Sequence, residues 1–549
     1  MTYKDLADLI FPNIDKTIED YEKIYPERNL PEGAMVTRFA PSPTGFVHMG
    51  SLLASFISSK AAKDTKGVFY LRIEDTDQKR EVPNGIEGIV KDLQNFEIKI
   101  DEGALSRTEA IGNYGPYIQS ERKEIYQAFI KHLLEIGMAY PCFCSEEHLA
   151  EIREMQEATK ARIGYYGRYA VCRNIKIEEA YNQIKNGEKY IIRLKSPGDF
   201  EKKVVVNDLV KGKIEFPEND LDIVIMKSDG LPTYHFAHLV DDHLMRTTHV
   251  TRGDEWVSSL PIHMQLFQVF GFNPPKYAHL SPILKQEGDT KRKLSKRKDP
   301  EAAMSYYAEL GIPIKAVHLY LMTIANTNFE QWYDQNKDKT LDDFKFDFKK
   351  ISASGSLFDV EKLINISRNY ISFLTAEEVY ENVLNWSATY DKELHELLSK
   401  YKDYTISIFS IERYQKKPRK DYESWSSIKK NIWYMYDELF NNVTYDFQKI
   451  NSKEEISKIL KTYLDKYYEE NDDKDTWFNK IKELTEELGY CSNMKEYKEN
   501  PDNYKGSVAD ISTVIRVALT SSSMTPDLYE IMKLLGKDRI ISRINKLII

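Results

Sequence analysis

Hydrophobic and polar positions near the start of the chain predict a strand, a helix and a second strand. Residues 36–39 predict a short buried strand, and apolar residues recur at helical spacing from Ser51 onward. The run VFYLRI at 68–73 is rich in branched and aromatic side chains and predicts the second strand. A strand, a helix and a strand at this spacing predict a right-handed βαβ unit and therefore a parallel sheet.

The pattern changes along the rest of the chain. Runs of β-branched residues at 190–226 predict further strands. From about residue 310 onward the pattern is mostly helical, without a convincing internal repeat, and rich in Lys, Glu, Tyr and Asn. We therefore predict a mixed α/β front half and an α-helical back half, with a boundary near 305–350.

Composition narrows the class of protein. The 549 residues are 42% hydrophobic and 30% charged, and no apolar run approaches the roughly 18 residues of a membrane span. The amphipathic, acidic N-terminal stretch does not resemble a secretory signal, so we expect a cytoplasmic protein with no membrane partner. The net charge of −9 excludes a general polyanion binder, so any contact with nucleic acid has to come from local basic patches.

Two further stretches indicate phosphate chemistry. RFAPSPTGFVHMGSLLASF at 38–56 is a glycine turn that opens a helix, where free backbone N–H groups favour a phosphate and His48 adds a donor. KRKLSKRK at 291–298 is a lysine-rich loop. Each alone is more often a solvated loop, but flexible lysines also stabilise the charge that develops on a leaving pyrophosphate. The pair predicts a nucleotide site.

Together these stretches resemble the paired motifs of class I aminoacyl-tRNA synthetases, with HMGS (48–51) in place of HIGH and KLSKR (293–297) in place of KMSKS. Six stretches narrow the resemblance to glutamyl-tRNA synthetases: RFAPSPTG, LRIEDTD (71–77), GPYIQSER (115–122), TYHFAHLVDDHLM (233–245), RGDEW (252–256) and PPKYAHLSPIL (274–284). The resemblance continues through 514–539, so it runs from about residue 34 to the end of the chain.

The resemblance implies an α/β fold class and a domain order. A Rossmann-type parallel-sheet catalytic domain is expected at 34–310, with an inserted acceptor-binding region at about 115–220. A connecting stem region at 311–370 and an α-helical anticodon-binding domain at 371–549 would follow. Residues 1–33 would form a helical N-terminal extension outside the resemblance.

The same resemblance implies residues for each substrate. ATP would be bound by Pro41, Thr44, Gly45, His48, Gly50, Glu255, Lys293, Ser295, Lys296 and Arg297, of which His48, Lys293 and Lys296 would act in catalysis. Ser51 stands where the motif has its second histidine, which leaves His48 as the imidazole donor. For glutamate, Arg38, Tyr234 and Arg252 would reach the carboxylates, and Glu74 would take the ammonium group. Ala40 and Ser42 would line the pocket, and His238 and Trp256 would close it.

The implied activity is ATP-dependent ligation of L-glutamate to the 3′ end of tRNA(Glu) through glutamyl-adenylate, with release of AMP and diphosphate. Mg²⁺ would accompany ATP, and the protein would act as a monomer. A glutaminyl-tRNA synthetase is the nearest alternative, but PSPTG, HMGS and LRIEDTD favour glutamate. A non-catalytic tRNA-binding paralogue is the other alternative, and the intact His48, Lys293 and Lys296 argue against it.

Three of the four cysteines lie close together in the sequence. Cys142 and Cys144, followed by Cys172, resemble the zinc-binding insertion of some members of the family. A fourth ligand would have to come from His148, Tyr166 or Tyr169, and three thiols alone do not close a structural site. We therefore predict reduced, partly buried thiols rather than a metal site.

A basic stretch at 412–433 is interleaved with Tyr414, Trp425 and Trp433. A solvated helical face and a stacking surface for the anticodon arm are equally good interpretations of this pattern.

Overall fold

The computed structural model describes residues 1–44, 47–77, 81–295, 298–337, 339–441 and 443–549. These form two compact units, one of residues 1–306 and 318–359 and one of residues 307–317 and 360–549. The division assigns parts of the segment 311–370 to both units, whereas the sequence suggested a single connecting region there.

The strands are, in chain order, β1 (Val36–Phe39), β2 (Val68–Leu71), β3 (Glu102–Ala104), β4 (Ala110–Ile111), β5 (Ala139–Cys142), β6 (Ile191–Leu194), β7 (Lys203–Asp208), β8 (Gly212–Pro217), β9 (Val224–Met226), β10 (His249–Gly253), β11 (Lys276–Leu280), β12 (Ile283–Glu287), β13 (Thr290–Lys293) and β14 (Ser356–Leu357).

The helices up to residue 335 are α1 (Tyr3–Ile10), α2 (Ile18–Ile24), α3 (Met49–Asp64), α4 (Gly85–Asn95), α5 (Lys123–Glu135), α6 (Glu146–Ala158), α7 (Ile177–Lys185), α8 (Tyr234–Leu244), α9 (Leu260–Phe270), α10 (Met304–Leu310), α11 (Ile314–Ala325) and α12 (Phe329–Gln335). The later helices are α13 (Val360–Phe373), α14 (Ala376–Tyr390), α15 (Lys392–Lys400), α16 (Lys402–Ser410), α17 (Ile428–Ile432), α18 (Lys453–Thr462), α19 (Lys474–Glu487), α20 (Met494–Glu499), α21 (Val508–Thr520) and α22 (Leu528–Asn545). In the described part of the chain, no helix combines the length and the apolar character that crossing a membrane requires.

The first unit is built on the predicted parallel sheet. β1 pairs in parallel with β2, and β2 with β3, while β4 adds an antiparallel edge. All four residues of β1 are buried, as is typical of a parallel strand that is covered on both faces. The predicted strand–helix–strand order and parallel pairing are confirmed, although α3 begins at Met49 rather than Ser51 and β2 ends at Leu71 rather than residue 73.

The region predicted as an insertion, together with the strand that follows it, contains two small antiparallel sheets. β6 pairs with β5 and β9, and β7 forms a hairpin with β8. The end of this hairpin is joined to β11, because the Leu209 N–H donates to the Tyr277 carbonyl at 2.8 Å. This contact brings Asp208, the last residue of β7, against the strands that carry the candidate site.

The second unit is helical, as predicted, and its core is formed by side chains from α13 to α22. Trp425 belongs to this core with 5% of its surface exposed, and Trp433 packs half-buried against it. Tyr414 is 66% exposed. The interpretation in which all three aromatic residues stack on the anticodon arm is therefore wrong, because Trp425 is buried in the core and Trp433 packs against it.

Candidate active site

A cavity of about 350 Å³ lies at the carboxyl ends of β1 and β10, beside the first turn of α3. The carboxyl ends of parallel strands are where loops and helix N-termini converge and ligands usually bind. Twelve of the predicted site residues line the cavity: Arg38, Ala40, Pro41, Ser42, His48, Gly50, Glu74, Tyr234, Arg252, Glu255, Trp256 and Lys293. The fold thus brings residues that are far apart in the sequence to one site, with β1 in the four-stranded sheet and β10 paired separately with β11.

His48 caps the N-terminus of α3. Its Nδ1 accepts the backbone N–H of Ser51 at 3.1 Å, so the proton of the neutral ring is on Nε2. Nε2 lies 3.1 Å from the Ser51 hydroxyl oxygen. Gly50 leaves room for the ring, because a Cβ there would lie 3.2 Å from two atoms of the His48 imidazole. His48 and the first residues of α3 line the cavity, and a helix N-terminus favours an anion there.

Arg252 is a buried cation at the wall of the cavity. Its Nε donates to His279 Nε2 at 3.0 Å, Nη1 to the Tyr234 hydroxyl at 3.1 Å, and Nη2 to His263 Nδ1 at 3.2 Å. Only 6% of its surface is exposed. Within the described residues, none of the ion pairs involves Arg252, so its charge has no carboxylate partner in that part of the protein.

Arg38 lies on β1 and is equally buried. Its Nε is 3.7 Å from Asp242 Oδ1, beyond hydrogen-bonding distance, and has no hydrogen-bond partner among the described atoms. A buried N–H group without a partner is costly, so the described protein atoms do not fully satisfy this guanidinium.

A network of buried charges supports these two arginines. Arg72 donates to Asp242 at 2.6 Å and to Glu74 at 3.0 Å. Burial opposes the ionisation of Asp242, but the charges around it, with Arg72 first, hold its pKa well below its ordinary value. Burial raises the pKa of Glu74, with Arg72 and Arg38 opposing the shift. Sequence reasoning missed Arg72 and Asp242, although both lie inside the quoted motifs, because only their pairing shows that they support the site.

His238 differs from its prediction. It is fully buried behind Tyr234, where its Nδ1 is 2.8 Å from Asp242 Oδ2 and its Nε2 is 2.9 Å from the Tyr277 hydroxyl. Its ring is stacked at 6.1 Å from that of Tyr234. His238 therefore supports the wall of the cavity from behind and does not close the pocket, whereas Tyr234 and Trp256 pack directly, with ring centroids 4.2 Å apart.

The lysine-rich stretch continues from the β12–β13 hairpin, and Lys293 at its end lines the cavity. Asp299 anchors the chain just beyond the hairpin. Its carboxylate accepts hydrogen bonds from both terminal nitrogens of Arg292, at 2.6 and 2.8 Å, and from the Ser295 N–H at 2.8 Å. Thr44 and Ser295 are described but lie outside the cavity lining. Gly45, Lys296 and Arg297, also predicted for ATP, lie outside the described residues.

Comparisons with known proteins agree with this geometry. The family model for the catalytic domain of class I tRNA synthetases (E and Q) matches residues 34–365, and a model for an anticodon binding domain matches residues 393–548. A glutamate–tRNA ligase from Clostridium perfringens strain SM101 is 49% identical over 549 residues, covering 100% of this chain and 99% of the relative. One from Acetivibrio thermocellus is also 49% identical, with 100% of both chains covered. The chain belongs to the glutamate–tRNA ligase family.

A solved glutamate–tRNA ligase from Elizabethkingia meningosepticum, in complex with its amino acid, has a TM-score of 0.76 and 26% identity, covering 93% of this chain and 99% of that one. The class I synthetase resemblance and the fold class predicted from the motifs are confirmed. The glutaminyl alternative is not favoured, because the relatives at high identity over the full chain are glutamate–tRNA ligases.

Away from the cavity, the three predicted cysteines lie close together in the structure. The sulfur atoms of Cys142, Cys144 and Cys172 lie within 4.8 Å of one another. The Tyr165 hydroxyl is 3.5 Å from Cys142 Sγ and 3.3 Å from Cys144 Sγ. The Tyr166 hydroxyl donates to the Arg162 carbonyl at 2.9 Å, so Tyr165, which the sequence analysis did not name, is the tyrosine that contacts the thiols.

Proposed function

We propose that the protein activates L-glutamate with ATP and transfers it to tRNA(Glu). A glutamate α-carboxylate oxygen attacks the α-phosphorus, the bond to pyrophosphate breaks, and glutamyl-adenylate forms. The terminal 2′-hydroxyl of the tRNA then attacks the acyl carbon and AMP leaves. The observation that carries the proposal is Arg252, a buried cation that faces the cavity with no carboxylate partner among the described residues. Such a cation favours an amino acid with an anionic side chain.

The glutamate end of the cavity has groups of both signs. The Tyr234 hydroxyl accepts a hydrogen bond from Arg252, so its own proton can be donated to a carboxylate of the ligand. Arg38 adds an N–H that has no partner among the described atoms. Glu74, which also lines the cavity, is held by Arg72, and the ammonium group of glutamate would stabilise its charged form against burial. Ala40, Ser42 and Trp256 complete the lining on this proposal.

The phosphate end relies on positioning and on charge stabilisation. The N–H groups at the start of α3 and the Nε2 of His48 would meet the phosphates of ATP, with Mg²⁺ bound to them. Lys293 and Lys296 would stabilise the charge on the leaving pyrophosphate, and Pro41, Thr44, Gly45, Gly50, Glu255, Ser295 and Arg297 would hold the nucleotide. No proton has to be transferred in this step, so preorganised charge is sufficient.

The domain assignment completes the proposal. The region at about 115–220 would bind the acceptor end of tRNA, the segment 311–370 would connect, and the helical domain at 371–549 would read the anticodon. The family-model match at 393–548 supports the last assignment. Cytoplasmic action as a monomer stays a prediction from the sequence.

Aminoacylation of purified tRNA(Glu) and tRNA(Gln) with labelled glutamate or glutamine tests the function. We expect ATP-dependent charging of tRNA(Glu) with glutamate and little charging with glutamine. Failure to charge glutamate on either tRNA, or a preference for glutamine, would contradict the proposal. The same assay decides whether tRNA(Gln) is also a substrate.

We also propose that Cys142, Cys144, Cys172 and the Tyr165 hydroxyl hold a structural Zn²⁺. Cys144 Sγ and Cys172 Sγ are 3.6 Å apart, close to the value of about 3.8 Å expected for two thiolates on one tetrahedral zinc. This geometry favours a metal site, whereas the sequence alone favoured reduced thiols. Metal analysis of protein purified without added metal should find about one zinc per chain. The zinc should be lost in Cys142→Ser, and the zinc content should be lower in Tyr165→Phe than in the wild type. A zinc content near zero in the wild type would restore the thiol interpretation.

A further inference from the structure

Two imidazoles hold the Arg252 guanidinium from inside the protein. Arg252 and His279 are paired across the parallel strands β10 and β11, which places Nε 3.0 Å from His279 Nε2. His263, on α9, meets Nη2 with its Nδ1 at 3.2 Å. An arginine can only donate hydrogen bonds, so both ring nitrogens must be acceptors and the other nitrogen of each ring must carry the proton.

Contacts on the far side of the two rings fix these tautomers. The His279 Nδ1 proton points to Asp208 Oδ2 at 2.6 Å, and Asp208 Oδ1 accepts the backbone N–H groups of Val210 and Lys211 at 2.9 and 2.8 Å. The His263 Nε2 proton points to His235 Nδ1 at 3.0 Å. Asp208, His263 and His279 are buried, so solvent does not supply alternative partners.

The rings are neutral. Burial lowers the pKa of His279 despite its bond to Asp208, and burial lowers the pKa of His263 well below its ordinary value. Burial and the Arg252 charge lower the pKa of His235 to about 4. A neutral imidazole orients the guanidinium without cancelling its charge, whereas a carboxylate in the same place would form an ion pair and compete with an anionic ligand.

We propose that Asp208, His279, His263 and His235 are positioning residues that fix Arg252 through neutral imidazole acceptors and so preserve its charge for the substrate side chain. The four residues would thereby set the discrimination between glutamate and glutamine. This inference rests on the proposed function. None of the four would contact the substrate, and each would act through Arg252.

Asp208→Asn tests the tautomer. If the amide oxygen of Asp208→Asn keeps the hydrogen bonds from the backbone N–H groups of Val210 and Lys211, its N–H₂ group points towards His279 Nδ1. His279 Nδ1 then has to accept a hydrogen bond, so the imidazole proton moves to Nε2. There it meets the N–H of Arg252 and the hydrogen bond between the two residues is lost. We expect the KM for glutamate to rise at least about 30-fold in tRNA(Glu) aminoacylation while the KM for ATP changes less than about 3-fold. Glu215→Gln is the control, because it also replaces a carboxylate by an amide but at an exposed position of the same hairpin. Its KM for glutamate should stay within about 2-fold of the wild-type value.

His263→Glu and His263→Gln test the charge. Both variants lose the imidazole ring and have side chains of the same shape. Only the carboxylate of His263→Glu can form an ion pair with Arg252. We expect His263→Glu to narrow the glutamate-to-glutamine ratio of kcat/KM at least about 100-fold and His263→Gln to change it by less than about 5-fold. Equal changes in both would mean a purely structural role and would overturn the inference.

Assaying the wild type in parallel distinguishes failure of the proposed function from failure of the positioning role. A wild type that does not charge glutamate overturns the proposed function. An active wild type with a folded Asp208→Asn variant of unchanged KM for glutamate overturns only the positioning role. If Asp208→Asn does not fold, as judged by circular dichroism, the comparison of the two His263 variants decides.

Discussion

Arg72 and Arg252 lie in the same unit, yet their surroundings give the two guanidinium groups different tasks. Arg72 is fully buried and pairs with Asp242 at 2.6 Å and with Glu74 at 3.0 Å, so its charge is used within the protein. Arg252 has imidazole and hydroxyl partners instead. At the scale of single residues, the partner therefore decides whether a buried arginine is structural or available to an anion.

We expect Arg252→Gln to lose most glutamate activation, by about 10³-fold in kcat/KM, and to narrow the ratio of glutamate to glutamine. The amide cannot satisfy a carboxylate as a guanidinium does. Arg252→Lys keeps the charge but loses the forked geometry, so its activity should fall between those of the wild type and Arg252→Gln. Competition kinetics with both amino acids on tRNA(Glu) measure this. A wild-type ratio in Arg252→Gln would make Arg252 structural.

Lys296 lies outside the described residues, and its role is predicted from the sequence motif. We expect Lys296→Ala to lower the rate of glutamyl-adenylate formation by on the order of 10²-fold or more, with little loss of tRNA affinity, because the charge acts on the developing pyrophosphate. Lys291→Ala, an exposed lysine on β13, is the matched control. Stopped-flow measurement of adenylate formation compares them, and equal rates for Lys296→Ala and the wild type would remove the assigned role.

At the scale of elements, the parts that could be predicted are those set by local pattern. The apolar spacing after Ser51 identified α3 within two residues, and the glycine turn identified its phosphate-binding end. The role of His238 and the tyrosine at the cysteine cluster could not be predicted. Whether Tyr165 or Tyr166 faces the thiols depends on the direction of each side chain in the folded chain, and adjacent residues are equivalent in a spacing argument.

The segment that follows the β12–β13 hairpin is held in place by Asp299. Asp299 binds Arg292 with both oxygens and also the Ser295 N–H, so it fixes the chain that leaves the hairpin. Asp299→Asn should lower kcat about tenfold, a change of about 1.4 kcal/mol in the barrier, with the KM for glutamate changed less than about 3-fold. Glu287→Gln alters the exposed partner of the same arginine and serves as the control. A larger effect on the KM for glutamate than on kcat would contradict a role confined to the phosphate end.

At the scale of the whole molecule, residues 1–33 precede the match to the catalytic family model, yet they are bound firmly to the first unit. α1 packs against α5 and α7, and Lys131 on α5 donates to the Ile14 carbonyl at 3.0 Å. Arg28 forms two hydrogen bonds to Glu102, at 2.7 and 2.9 Å, and lies 3.7 Å from the Tyr114 ring centroid. The segment thus joins β3 of the four-stranded sheet to α5 and α7.

Arg28→Met tests whether this anchoring stabilises the first unit. The Arg28 and Glu102 side chains are 7% and 15% exposed, and removing one partner of a buried pair leaves the other charge uncompensated, so we expect the free energy of unfolding to fall by about 2–4 kcal/mol. Lys4→Met breaks the exposed pair with Asp8, whose side chains are 68% and 45% exposed, and should lower the free energy of unfolding far less than Arg28→Met does. Urea denaturation followed by circular dichroism compares the variants. The double variant Arg28→Met/Glu102→Met should recover part of the loss, because neither charge is then left buried alone. Equal, small effects of Arg28→Met and Lys4→Met would show that the extension rests on the first unit without stabilising it.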